Sequence, residues 1–177
     1  MKTFIFSTTL DQKIPRSFFE ALTFAGSLDS AEITALIAGS LSQEQKDYLH
    51  KAGCGHIFFY TQELPQWHDP MFYLDLVENF FAEKGEPDLV ILGASAINQV
   101  LAPMLAVKLK AGYVSRVISL PEPQNPHIVK RFAYSGKIIS KTEIKTGKAV
   151  LLLGSNAIAP VEAEGVKTIE TWDAKPA

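Results

Sequence analysis

Three short apolar runs of this chain each empty into small residues and hydroxyls. Ser7-Thr8-Thr9 follows "TFIF", Ala38-Gly39-Ser40 follows "ITALI", and Gly93-Ala94-Ser95 follows "LVIL". A strand that runs into such a turn and then into a helix can hold an anion, because free N–H groups at the helix start face the ligand. Ser7, Thr8, Gly39, Gly93 and Ser95 are therefore the candidate contacts of a nucleotide. The signal is thin: no GxGxxG follows the first strand and no GxxxxGK[ST] occurs. The same residues serve close packing and helix capping, which is the plainer reading. His50, His56, His68 and His127 form no metal-ligand spacing. Cys54, between two glycines and without a second cysteine, reads as a small packing residue. Asp11 and Glu20 read as surface carboxylates without partners. No Ser/His/Asp set stands in a nucleophile-elbow context. No catalytic residue and no metal site are predicted, and a small hydrolase is the weakest reading.

A second cluster is basic: Lys130, Arg131, Lys137, Lys141, Lys145 and Lys148, with Glu143 among them. "KRFAYSGK" interleaves aromatics with charge, as RNA-binding strands do, but lacks the glycine that follows the basic residue in that motif. Solvated lysines on alternate strand positions account for it. A docking surface for an acidic partner is the other reading.

The elements that must position these residues alternate. Thr3 to Ser7, Ile33 to Ala38, Ile57 to Tyr60 and Asp88 to Leu92 read as strands, with helical stripes between them. Pro15 opens the first helix, Ser42 and Gln45 fit a capping box, and Asp69-Pro70 starts the third helix. Strand–helix alternation implies right-handed crossovers and a parallel sheet. Near-continuous apolar runs suit strands covered on both faces. Pro103 complicates the segment after Gly93-Ala94-Ser95. A mid-helix proline costs about 3 kcal/mol, so a helix starting late, near Pro103, is expected, with Ala96 to Ala102 as an irregular lead-in. That start would carry the positive helix end away from Ser95; a kinked helix from Ala96 is the alternative. From Val114 onward four strands without helices are expected: Val114 to Leu120, Ile128 to Tyr134, Lys137 to Ile144 and Ala149 to Leu153. Ser135-Gly136 and Thr146-Gly147 read as tight turns, making an antiparallel meander.

At 177 residues, 47% hydrophobic and 20% charged, the chain fits one domain, with 172–177 as a tail. A net charge of −2 steers it toward neither nucleic acid nor anionic lipid. No membrane span and no signal peptide are visible, and a single cysteine suits a reducing compartment. A cytoplasmic location is the expectation.

"LGASAINQVLAPMLAVKLKAG" resembles the Gly-Ala/Ser-Ser turn, Leu-Ala-Pro and alanine-rich helix of the amino-terminal domain of electron transfer flavoprotein alpha subunits. "VKRFAYSGKIIS" is similar to that family's Arg-x-x-Tyr-x-Gly-Asn/Lys hairpin, with Arg131, Tyr134, Gly136 and Lys137 in register. "AVLLLGSN" stands where the family has its last strand, and "VKTIETWDA" is similar to the strand leading into its FAD domain. The resemblance covers about residues 1–172. It implies an adenine-nucleotide-hydrolase-like α/β fold of three layers, its mostly parallel sheet carrying an antiparallel extension. It implies an electron-transfer component that is not itself an enzyme, scaffolding a flavin-based complex. FAD belongs to the family's complex, but the Ser-Gly-x-x-Gln-His-type flavin loop is absent here, so no cofactor is expected in this chain alone. The implied partner is a beta-like subunit, a separate flavin-domain chain or a second copy, met through Arg131, Tyr134 and Lys137. The chain departs from the family at Arg116, where Asp is usual, at Met104, where Arg follows the proline, and at Gly154, where Arg is usual. The alternative reading is a stand-alone AMP- or ATP-binding protein of the universal-stress type.

Overall fold

The computed structural model describes residues 1–28, 32–49, 53, 55–65, 69–120, 128–161 and 168–173. The first half follows the alternating pattern. Strands β1 (Lys2–Thr8), β2 (Glu32–Ala38), β3 (His56–Tyr60) and β4 (Leu89–Leu92) alternate with helices α1 (Arg16–Gly26), α2 (Gln43–Leu49) and α3 (Pro70–Lys84). Helix α4 (Ala96–Lys108) follows β4, and then come β5 (Gly112–Val117), β6 (Ile128–Ala133), β7 (Ile138–Glu143), β8 (Ala149–Leu153) and β9 (Thr168–Thr171). The local signals act as chemistry requires. Asp69 accepts from the Met71 N–H at 2.9 Å and Pro70 supplies the preset first turn of α3. Ser42 accepts from the Gln45 N–H at 3.4 Å, as the capping box predicts, but the Gln45 side chain reaches instead to the Ile14 N–H.

All nine strands join one sheet in the order β7-β6-β5-β8-β4-β1-β2-β3-β9. Two buried layers flank it. Ile5, Ile37, Ile91 and Leu151 face α1, while Phe6, Leu36, Val90 and Leu152 face α3 and α4. At about 1.5–3 kcal/mol for each large side chain buried, these layers dominate the fold's stability. The result is the expected three-layer α/β arrangement.

The meander is a correction. β8 does not return beside β7. It inserts between β4 and β5 and runs parallel to both. Only β5–β6 and β6–β7 are antiparallel. The physical reason is burial: Ala149, Val150, Leu151, Leu152 and Leu153 are all buried, and an edge strand cannot cover both faces of such a run. Thr146-Gly147 is accordingly no hairpin turn; the Thr146 hydroxyl accepts from the Gly112 N–H at 2.8 Å and donates to the Lys148 carbonyl at 2.7 Å. The late start of α4 is also corrected. The helix begins at Ala96, with Pro103 inside it. Ile97, Leu101, Ala102 and Leu105 bury one face, and Ser95 caps the start. The carbonyl that Pro103 leaves without a helix donor belongs to Gln99, which is exposed and open to water.

Candidate ligand crevice and partner surface

The sheet turns one way through β1, β2 and β3 and the other way through β4, β8 and β5, so its switch point lies between the carboxyl ends of β1 and β4. Ser7, Thr8, Gly93 and Ser95 meet there, and Gly39 lies one strand away, after β2. The hydroxyls of Ser7 and Ser95 are already engaged. Ser7 is buried and donates to the Thr8 carbonyl at 3.2 Å. The Ser95 hydroxyl accepts from the Asn98 N–H at 3.1 Å. At Gly39, with φ +124°, the Thr9 hydroxyl occupies the space a side chain would take. Gly93 is pressed by the first turn of α1: a carbon added to it would lie 2.8 Å from Ser17 Cβ and against the Ser17 carbonyl. Gly93 is therefore required for the close packing of β4 against the first turn of α1.

Asn98 braces the same strand ends from the helix. It is 2% exposed, and its amide donates to the Gly93 carbonyl at 2.9 Å and to the Phe6 carbonyl at 3.5 Å, tying β4 to β1. Sequence reasoning missed it, because an asparagine in a first helical turn reads as solvated. Glu20 is a second correction. It is buried, not on the surface, and pairs with Arg16 at 3.1 Å one helical turn away. A salt bridge to an exposed arginine lets its other side lie under the chain. Asp11 is exposed in the turn closed by the Leu10–Lys13 bridge. The His56 ring lies 2.8 Å from the Thr168 hydroxyl. His50, Cys54, His68 and His127 lie outside the described residues. Among the described residues no group of three metal-ligating side chains forms, and no helix is long and apolar enough to cross a membrane.

The hairpin of β6 and β7 carries the other predicted residues. Arg131 stands opposite Val117 on β5 and Ser140 on β7. It is half-buried, and its Nε has no acceptor among the described residues. Tyr134 and Ser135 form the turn at φ +49° and +56°, closed by the Gly136 N–H on the Ala133 carbonyl at 3.1 Å. Two non-glycine residues in the left-handed region are costly, and such strain collects at functional turns. The turn leaves Tyr134 79% exposed and Lys137 exposed beside it. Phe132 and Ile139, paired across β6 and β7, are exposed on one face of the hairpin, and Ile138 is exposed on the other. Sequence reasoning took the lysines and missed the exposed Phe132–Ile139 pair.

Two comparisons bear on what this arrangement is for. The family model described as "Electron transfer flavoprotein domain" matches residues 3–177. The lactate dehydrogenase (NAD(+),ferredoxin) subunit LctC of Acetobacterium woodii is 30% identical over 112 residues, which is 62% of this chain and 26% of that protein. The chain thus matches about a quarter of the relative's length.

Proposed function

The chain belongs to the electron transfer flavoprotein domain family, and from that premise we propose that it is a partner-binding domain of a flavin-based electron-transfer complex. The redox flavin is carried by another domain or another chain. The docking surface is the β6–β7 hairpin, with Tyr134 at its tip and the cross-strand pair Phe132–Ile139 as the apolar centre. Lys137 lies beside the tip, and Arg131 and Ile138 stand on the hairpin's other face. Aromatic and arginine anchors at the centre of a patch supply most of the energy of such interfaces. The observation that carries the reading is the strained turn that holds Tyr134 out in water. A folded chain gains nothing by itself from an aromatic ring presented in that way.

The experiment is capture of partners on the intact chain, followed by an absorbance spectrum of what is recovered. A flavin-bearing partner, lost when Tyr134→Ala and Lys137→Glu are combined, is the expected outcome. Losing one central anchor costs about 2 kcal/mol or more of binding, or roughly thirty-fold in affinity. Stoichiometric FAD on the purified chain alone overturns the division of roles. A homodimer that the double variant dissolves would put a second copy in the partner's place.

One observation favours the second reading, an AMP- or ATP-binding protein. α4 starts at Ala96, so its positive end does reach the crevice beside Gly93. Against this stand the engaged hydroxyls of Ser7 and Ser95, which already bond to the chain's own backbone. Calorimetry with AMP and ATP on the wild type and on Ser95→Ala separates the two readings. A saturable site weakened by that substitution favours the nucleotide.

A further inference from the structure

Two strands away from the switch point, the carboxyl ends of β5 and β8 open into a cleft of about 320 Å³ that none of the foregoing assigns. Its floor is Leu152 and Leu153, and its polar lining includes Gln99, Tyr113, Ser115, Arg116 and Ser155. We propose that this cleft binds a small phosphate-bearing anion, with the Arg116 guanidinium as its countercharge and Gln99, Ser115 and Ser155 as hydrogen-bond partners.

Charge comes first. Among the described residues the lining contains one arginine and no carboxylate, and no Asp or Glu pairs with Arg116. The donor inventory points the same way. A guanidinium with five N–H donors, an amide and three hydroxyls can surround an anion, and the guanidinium's fixed positive charge disfavours a cation. Phosphate oxygens match the guanidinium fork in pairs.

The backbone gives a separate argument. Between Val114 and Val117 the pairing of β5 with β8 slips by one residue, and Arg116 sits in that bulge at φ +56°. Bulges of this kind re-aim a side chain out of the ladder. Here the re-aimed side chain is the cleft's cation, held in a region where a long side chain is uncommon and glycine would be at ease. Size and place agree with this. The volume lies at the lower end of small-ligand sites, and parallel sheets present ligands at these strand ends. Tyr113 is 37% exposed, so its ring offers a platform for a planar group attached to the phosphate.

The proposal stands apart from the partner reading, and its test can fail while the hairpin still docks. The intact chain is titrated by calorimetry with inorganic phosphate, AMP and adenosine. Both anions are expected to saturate one site, more weakly as salt rises, and adenosine is expected to give no binding. AMP tighter than phosphate makes the ligand a nucleotide; equal affinities make it the free ion. Arg116→Gly should weaken anion binding at least tenfold without lowering the melting temperature, since glycine relaxes the bulge. Arg116→Gln, which keeps a polar side chain and the backbone strain but removes the charge, should lose binding to the same extent. The inference is overturned if neither anion gives saturable heat, if Arg116→Gln binds as the wild type does, or if binding is lost in Ser95→Ala and kept in Arg116→Gln.

Discussion

Tyr73 brings a hydroxyl into an apolar layer. It is fully buried against Phe6 and Phe72, and its oxygen has no hydrogen-bond partner among the described residues. Burial raises its pKa, so the phenol stays protonated. A stranded polar group costs about 1–3 kcal/mol. Tyr73→Phe keeps the ring and removes that cost, so it should stabilise the chain by roughly 1 kcal/mol. Urea unfolding should show a higher midpoint with an unchanged slope; a clear loss of stability would mean that the hydroxyl is satisfied. Glu83 is a different case. Its carboxylate accepts from the Trp172 indole at 2.8 Å and pairs with Lys84 at 2.9 Å. The hydrogen bonds from Lys84 and Trp172 hold its pKa below the usual glutamate value. A depressed folded pKa gives stability that is present above the unfolded value and lost as pH falls through the folded one. Below about pH 4.3 stability should therefore drop, and the Trp172 emission should change with it. In a Trp67→Phe background, Glu83→Gln keeps the acceptor for the indole and should flatten that acid slope. An unchanged slope would assign the acid sensitivity to other carboxylates.

Among the elements, α4 tests what sequence can weigh. The proline cost was visible in the residues, and it pointed to a late helix start that the structure does not have. The opposing sum was not visible: Ser95 capping Asn98, the Asn98 amide clasping two strand ends, and the buried Ile97, Leu101, Ala102, Leu105 and Ala106. Those contacts depend on tertiary neighbours that no local window contains. Pro103 still exacts its local cost, so Pro103→Ala should raise stability by about 1–3 kcal/mol, read as a shift in the denaturation midpoint. No change would mean that the helix has fully relaxed around the ring. The strands divide in the same way. β1 to β4 were legible because each is an apolar run bracketed by turn residues, and the hydrophobic stripes of α1 and α3 follow helical spacing. β8 was placed wrongly because chain order suggested β7 as its neighbour. Its unbroken apolar run carried the better signal, since only an interior strand is covered on both faces. At the sites, the glycines and hydroxyls were legible as types. The packing of Ser17 against Gly93 and of Thr9 against Gly39 was not, because both contacts join residues far apart in the chain.

For the molecule as a whole, two late strands have opposite importance. β8 is central. In the order β7-β6-β5-β8-β4 it is the sheet's link between the antiparallel arm and the rest, pairing with β4 through Leu89–Ala149 to Leu92–Leu152. Without it β4 and β5 would each bare an apolar edge, and the three-stranded arm would have no core of its own. β9 is an edge strand on β3, anchored by Trp172, which is 4% exposed and packs edge-on against Phe80 at 5.0 Å. A chain ending after Val161 loses β9 and that indole. Deleting a buried tryptophan costs roughly 3–5 kcal/mol, out of a typical total of about 5–15 kcal/mol. That shortened chain should remain folded but melt earlier. A chain ending after Lys148 should show no cooperative transition at all, because the loss of β8 divides the sheet. Far-ultraviolet dichroism with thermal melts of the two truncations checks the ranking. A cooperative melt from the chain ending at Lys148 would show that the arm and the parallel sheet are held together by something other than β8.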